Sequence, residues 1–358
     1  MNLVFPIVLL IAAFMYIFSG SGAPNAIRRI YYGRYYAEEG VSRADDVPNS
    51  PEAFEGCIES DMGIMVRTML SADGKPVVIS YDDLSKAGLG EGRVSETDSR
   101  DLEKLGVMDL AAFLTQVNAR VPVIIELLSG DRNELLCRRV ADVILSHGNK
   151  AVAVCSFHRG ITGWFRNREK DIFRGIITAP GSSFVALDPF SKFMTGNMAN
   201  NSIARPQLIL YRNRPMNFLA KIVYNMGPIK GVWTLTDPDE AKALEEDRGI
   251  IISRGFTPEK PYYRVLAERT KLRDEIRKEE KAARKRRAAE AKKPHYDREP
   301  SSGNHLDDYY GEFHPESVAE FEESMAMAEQ SVSIAREAEK ISERLEETIR
   351  SENDILEL

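Results

Sequence analysis

The segment GIMVRTMLSADGKPVVISYDDL, residues 63–84, predicts two short β-strands joined by a tight turn. Alternate side chains of a strand share a face, so Met65, Arg67 and Met69 point to one side of the first strand. Nearly all other side chains of that strand are apolar, which indicates that both of its faces are covered. Arg67 is therefore predicted to be an enclosed cation, and a charge in such a place needs a partner.

The composition fits one large globular domain with appendages. The chain has 358 residues, of which 43% are hydrophobic and 29% charged, which is enough for one domain of about 250 residues. The three cysteines have no C-x-x-C spacing and the five histidines form no ligand pattern, so neither a disulfide framework nor a zinc site is indicated. A net charge of -7, with no aromatic residues among the basic ones, argues against nucleic acid as a partner.

Short apolar runs recur through residues 28–258, and stretches typical of helices lie between them. Several runs are apolar on both faces, as expected for parallel strands covered by helices. This alternation predicts an α/β fold, a TIM-type (β/α)8 barrel, with a doubly wound open sheet as the alternative. Nine runs are present for eight strands, and RPQLILY (205–211) is the predicted accessory run.

Residues 1–27 contain no charged side chain, and residues 3–18 are almost continuously apolar. This predicts an N-terminal transmembrane helix that anchors the chain in a membrane through residues 3–18. No basic residue precedes the run, as one would in a signal peptide, whereas Arg28, Arg29 and Arg34 follow it. The positive-inside rule then places the N-terminus outside and the barrel in the cytoplasm. Export with cleavage of this segment is the alternative.

The last hundred residues predict a charged helical extension in three parts. Residues 259–293 form a basic helical segment, since residues 269–293 hold twelve Lys or Arg against five acids. Residues 294–315 are rich in helix breakers and predict a linker. Residues 316–358 predict an acidic amphipathic helix. The basic residues 271–293 are either solvated or in contact with anionic lipid. The acidic helix needs an apolar partner, which is a second copy, the barrel or another protein.

The order of these runs resembles the glycerophosphodiester phosphodiesterase family, whose members are TIM barrels. VPNSPEAF (47–54) resembles the family's P-E-N-S-x-x-A-F, and residues 63–84 resemble its second strand, turn and third strand. VPVIIELL (121–128) is similar to the family's I-E-L-K strand, and RGIIISR (248–254) to its closing G-I-I-T-D-R. The resemblance implies a barrel over residues 28–258 and, in ordinary members, hydrolysis of glycerophosphodiesters.

The residues that carry the family's chemistry are replaced in this chain. Members use one histidine of an H-R-G motif at the end of strand one and a second histidine after strand three as general acid and base. The resemblance places Tyr31 and Tyr32 at the H-R positions, and Ser80 at the second histidine. A tyrosine is a poor base at neutral pH, so no catalytic residue is expected at these positions.

The family's metal ligands are mostly replaced as well. Its divalent metal is held by E-x-D on strand two and by the glutamate of strand four, where this chain has Met65, Arg67 and Glu126. Only Glu126 could bind a hard cation, which leaves a metal site doubtful. Three further family positions also differ: Pro48, Leu128 and Ser253.

Arg67 and Glu126 are both charged residues in apolar strands, and we expect them to pair across the barrel mouth. The guanidinium would then supply the positive charge that a divalent ion supplies in active members. Two interpretations remain open, a structural salt bridge and a retained phosphate pocket.

The sequence also contains an H-R-G tripeptide at residues 158–160, but this tripeptide follows the fifth strand and not the first. His158 is expected to be exposed at a helix start.

The sequence thus favours a membrane-anchored pseudoenzyme that acts as a binding or scaffold module and needs no cofactor. The alternative is an active phosphodiester hydrolase with a rebuilt site. That site would use Ca²⁺ or Mg²⁺ and the following residues: Tyr31, Tyr32, Asp82, Asp83 and Glu126.

Overall fold

The computed structural model of this protein describes residues 14, 16–148, 151–185, 187–199, 201–245, 247–259 and 281. All of them fall within one compact unit, Met1–Ala283. The predicted linker and acidic helix, residues 294–358, and nearly all of the basic segment lie outside the described residues, as do residues 1–13 and 15 of the predicted anchor. No helix among the described residues is long and apolar enough to span a bilayer.

Eight parallel strands close into a barrel, as the alternation of apolar runs predicted. The strands of the sheet are β1 Arg34–Glu38, β2 Gly63–Leu70, β3 Pro76–Val78, β4 Val123–Leu127, β5 Val152–Ser156, β6 Phe173–Thr178, β7 Leu208–Arg212, β8 Ile229–Leu235 and β9 Ile250–Ser253. Neighbours in the barrel follow the order β1, β9, β8, β7, β6, β5, β4, β2, and β2 pairs with β1 to complete the ring.

The accessory strand is β3, and the prediction that RPQLILY is accessory was wrong. β3 pairs with β2 in the antiparallel sense, through Thr68 and Val78, and lies outside the ring. RPQLILY contains β7, which pairs with β6 on one side and β8 on the other. A tight turn of a few residues can join only antiparallel strands, so the short connection at residues 71–75 already excluded KPVVISY from the parallel ring.

Helices cover the outside of the barrel, and several of them begin at a residue whose side chain caps the helix. Asp109, Asn217 and Asp237 each accept a hydrogen bond from a backbone N–H of the first helical turn. The helices are α1 Asn25–Tyr31, α2 Pro51–Glu59, α3 Ser99–Lys104, α4 Leu110–Val117, α5 Asn133–Ser146, α6 Arg159–Arg168, α7 Pro189–Gly196, α8 Asn201–Ala204, α9 Phe218–Tyr224 and α10 Pro238–Leu244.

Two apolar layers hold the barrel together. The outer layer lies between strands and helices, where Phe54 of α2 meets Phe113 of α4 with ring centroids 4.7 Å apart. The inner layer fills the barrel and includes Tyr36, Met65 and Ile124. Strands with both faces buried give the continuous apolar runs seen in the sequence.

α1 closes the amino-terminal end of the barrel, and this placement corrects the expectation that Tyr31 and Tyr32 lie at the end of the first strand. Tyr31, the last residue of α1, is fully buried, and its ring centroid lies 4.6 Å from that of Phe173 at the start of β6. Tyr32 packs against the inner layer too. The chain then turns at Gly33, whose φ of 76° suits glycine, and β1 begins at Arg34.

Candidate functional site

The carboxyl ends of the strands carry charged side chains that point into the barrel mouth. Tyr36, Met65 and Ile124 belong to the inner layer, and side chains two residues further along a strand share that face. On β1, β2 and β4 these are Glu38, Arg67 and Glu126 respectively. Active sites of this fold lie at the same end, so these residues are the candidate site.

Arg67 is the centre of this site. Its Nε donates to Glu126 Oε2 at 3.0 Å, its Nη1 donates to Glu39 Oε1 at 2.7 Å, and its Nη2 donates to Glu38 Oε1. β2 and β4 are paired in register at Arg67 and Glu126, which places the two side chains next to each other. The expected pair is thus present, and two glutamates that the sequence reasoning missed share the same guanidinium.

Glu39 connects Arg67 to two further side chains at the barrel mouth, those of Ser80 and Arg254. Its carboxylate accepts hydrogen bonds from Ser80 Oγ and from Arg254 Nη1, besides the bond from Arg67. Ser80 in turn accepts from Asn49 Nδ2 at 3.2 Å. Ser80 stands where the resemblance expected a histidine, and here it helps to fix a carboxylate.

We call the five charged residues of this network the mouth cluster, namely Glu38, Glu39, Arg67, Glu126 and Arg254. The side chain of Arg67 is 18% exposed, while those of Glu39 and Glu126 are 5% exposed. Three carboxylates face two guanidinium groups, so the fully ionised cluster would carry one net negative charge. Burial raises the pKa of Glu126 and outweighs the opposing attraction of Arg67. Protonation of Glu126 would leave the cluster neutral.

The mouth cluster does not fit a divalent metal ion. A hard cation needs several oxygen ligands directed at one point, yet Glu38, Glu39 and Glu126 all direct oxygens at the Arg67 guanidinium. An ion placed there would meet a fixed positive charge. In the described ranges, no group of three or more His, Cys, Asp or Glu side chains is arranged to hold a metal ion.

The structure corrects the residues assigned to the family's H-R-G position. That motif ends the first strand, and β1 ends at Glu38, which Glu39 and Gly40 follow. Glu38 and Glu39 therefore occupy the positions given to Tyr31 and Tyr32, which lie at the opposite end of the barrel. The clue in the sequence was the tripeptide E-E-G directly after the apolar run RYYA. A glycine is required there, because φ of Gly40 is 75°.

Other predicted residues lie apart from the mouth cluster. Asp82 accepts from Arg93 Nε at 2.7 Å, and Asp83 caps a short 3-10 helix at Leu84–Ala87. Tyr31 is buried and its hydroxyl has no hydrogen-bond partner, and burial holds its pKa well above the usual value. His158 is exposed at the N-cap of α6, as expected. The residues of the alternative hydrolase are thus not brought together.

The far side of the mouth is aromatic. Phe157, after β5, meets Trp233 of β8 edge-on, with ring centroids 5.6 Å apart. The guanidinium carbon of Arg212 lies 5.9 Å from the Trp233 ring centroid. One half of the mouth therefore carries the paired charges, while the other half offers aromatic surface and a cation outside the mouth cluster.

Comparisons with known proteins agree with this architecture. No model of a known protein family and no curated protein matches the chain. Among solved structures, a glycerophosphodiester phosphodiesterase from Parabacteroides distasonis is similar with a TM-score of 0.50 and 17% identity, over 67% of this chain and 99% of that one. An Oleispira antarctica phosphodiesterase in complex with the product sn-glycerol-3-phosphate has a TM-score of 0.51 and 13% identity, over 63% and 94%. The chain therefore has the barrel fold of these glycerophosphodiester phosphodiesterases.

Proposed function

We propose that this protein is a membrane-anchored, glycerophosphodiester phosphodiesterase-like pseudoenzyme whose barrel serves as a binding or scaffold module. One observation supports this most directly. Arg67 donates to Glu38, Glu39 and Glu126, and it stands at a position where the family has a metal-binding carboxylate. Fold similarity carries no activity by itself, so the proposal rests on the chemistry of this cluster.

The carboxyl groups of the mouth cluster are held against Arg67 and Arg254, which leaves no free pair of groups to act as general acid and general base in phosphodiester hydrolysis. A general acid and a general base need groups that can exchange a proton near neutral pH. Glu38 and Glu39 instead accept hydrogen bonds from Arg67, and Ser80 donates one to Glu39. The cluster also fixes its own charges in pairs, so the cation that would bind a phosphate is already neutralised.

The membrane part of the proposal rests on the apolar residues 3–18 and the arginines that follow them. With the N-terminus outside, the barrel would lie in the cytoplasm close to the bilayer. The C-terminal extension would then supply contacts to lipid or to a protein partner. No cofactor is needed for such a role.

The test is hydrolysis by the full-length protein in detergent. A panel of glycerophosphodiesters is supplied with Ca²⁺, Mg²⁺ or Mn²⁺ in turn, and release of glycerol phosphate is measured against an active member of the family as positive control. We expect no release with any of the three ions. Release that disappears in a Glu126→Ala variant would instead establish an active hydrolase with a rebuilt site.

A further inference from the structure

The exposed apolar side chains of this protein are concentrated on one side of the barrel. Among the described residues, thirteen large hydrophobic side chains are exposed, and seven of these lie between residues 185 and 222. Three phenylalanines stand out, with Phe190 69% exposed, Phe193 51% and Phe218 81%. Scattered apolar side chains are normal on a surface, whereas a cluster of this kind marks a contact region.

This side of the barrel is also basic. Residues 185–224 contain five basic residues and a single acid, Asp188, although the whole chain has a net charge of -7. Lys192 lies on α7 between Phe190 and Phe193, and Lys221 lies on α9 three residues after Phe218. Aromatic side chains interspersed with lysines are typical of surfaces that enter the interface of an anionic bilayer.

The two helices belong to one continuous part of the fold. α7 and α8 follow β6, α9 follows β7, and these strands are neighbours in the barrel. Side chains from both connections share one buried cluster, which includes Met198, Ala204, Ala220 and Val223. The exposed phenylalanines therefore stand on consecutive connections of the barrel, one on either side of β7.

The described end of the predicted anchor packs against α8 and α9. Phe14 and Phe18 stack with ring centroids 4.6 Å apart and contact the cluster under α8 and α9. Asn201 Nδ2 donates to the backbone carbonyl of Phe18 at 2.8 Å, and the guanidinium of Arg205 lies 4.7 Å from the Tyr16 ring centroid. The apolar N-terminal run thus adjoins the aromatic and basic surface.

We infer that this surface, which we call the α7–α9 face, docks on an anionic lipid bilayer, with Phe190, Phe193 and Phe218 in the interface and Lys192 and Lys221 at the head groups. The inference rests on the proposed membrane location and extends it, because it assigns the side of the barrel that faces the bilayer. Docking of this face would fix the orientation of the barrel on the membrane.

The test uses the full-length protein in nanodiscs that contain a brominated lipid as quencher. An environment-sensitive fluorophore is attached to a Phe193→Cys variant, and to a Leu145→Cys variant as the matched control. Leu145 is 54% exposed on α5, three strands from α9 around the barrel, and the native cysteines are all buried. The discs contain phosphatidylcholine with or without phosphatidylserine.

We expect the probe at residue 193 to be quenched in discs with phosphatidylserine, while the probe at residue 145 is not. A Lys192→Glu, Lys221→Glu variant should lose this quenching. Equal behaviour of the two probes in a chain that has entered the discs would overturn docking and leave the anchor intact. Equal quenching at residue 193 with and without phosphatidylserine would overturn the role of anionic lipid. A chain that stays off anionic discs would refute both the anchor and the docking face.

Discussion

Replacing Arg67 by aspartate should destabilise the barrel and at the same time create a calcium site. The guanidinium of Arg67 binds three carboxylates that are 9% exposed or less. Removal of one partner from a buried ionic network costs about 3–5 kcal/mol, because the remaining charges are left unpaired. The new aspartate adds a further negative charge.

The size of the effect can be measured by thermal unfolding of the full-length protein. For a domain of this size, each kcal/mol lowers Tm by roughly 2–4 °C, so the Arg67→Asp variant should unfold roughly 6–20 °C below wild type in EDTA. Four carboxylates would then surround the position of the lost guanidinium, as Ca²⁺ prefers. Excess Ca²⁺ should restore about 2.7 kcal/mol once its concentration is about a hundred times Kd.

Two controls make this prediction specific. Wild type should show no change of Tm with Ca²⁺, since Arg67 occupies the site. An Arg67→Asp, Glu126→Gln variant, which has one carboxylate fewer, should lose most of the calcium response. An Arg67→Asp protein as stable as wild type in EDTA, or a wild-type Tm that rises with Ca²⁺, would refute the reasoning that the guanidinium stands in for a metal.

Three further predictions concern single side chains. Since burial raises the pKa of Glu126, its contribution to stability is present below the ordinary carboxyl range and is lost as pH rises through the raised pKa. Glu126→Gln should therefore remove part of the fall in urea midpoint that occurs as pH rises above the ordinary carboxyl range, and identical pH profiles of the variant and wild type would contradict this. Tyr31→Phe should leave Tm unchanged or raise it, because the buried hydroxyl has no hydrogen-bond partner. Tyr31→Ala should lower the free energy of unfolding by about 3–5 kcal/mol, because it removes a buried ring. A large fall in the Tm of the phenylalanine variant would show that the hydroxyl stabilises the protein. Gly40→Ala should lower stability by about 1–2 kcal/mol in urea unfolding, because φ is 75° and the new methyl would lie 2.7 Å from the Phe54 ring, and an unchanged midpoint would exclude this strain.

The pairing of Arg67 with Glu126 could be predicted because it depends on local rules. Strand alternation places each charge on the inner face, and the resemblance places both on strands that line the mouth. Glu38 and Glu39 escaped prediction because two consecutive stretches, RRIYYG and RYYAE, both suit a buried strand. Only pairing with β2 and β9 selects the second one, and the first becomes α1.

The sequence by itself determined a layered α/β architecture with parallel strands, because runs that are apolar on both faces, separated by helical stretches, have few other ways to bury their surface. It also determined that Arg67 would be enclosed. Closure into a barrel rather than an open sheet is decided by the pairing of β1 with β2. The tertiary structure decided which carboxylates meet that cation and which apolar side chains stay outside. Contacts between residues such as Arg67 and Glu39, or Arg205 and Tyr16, join distant parts of the chain, and no local periodicity specifies them.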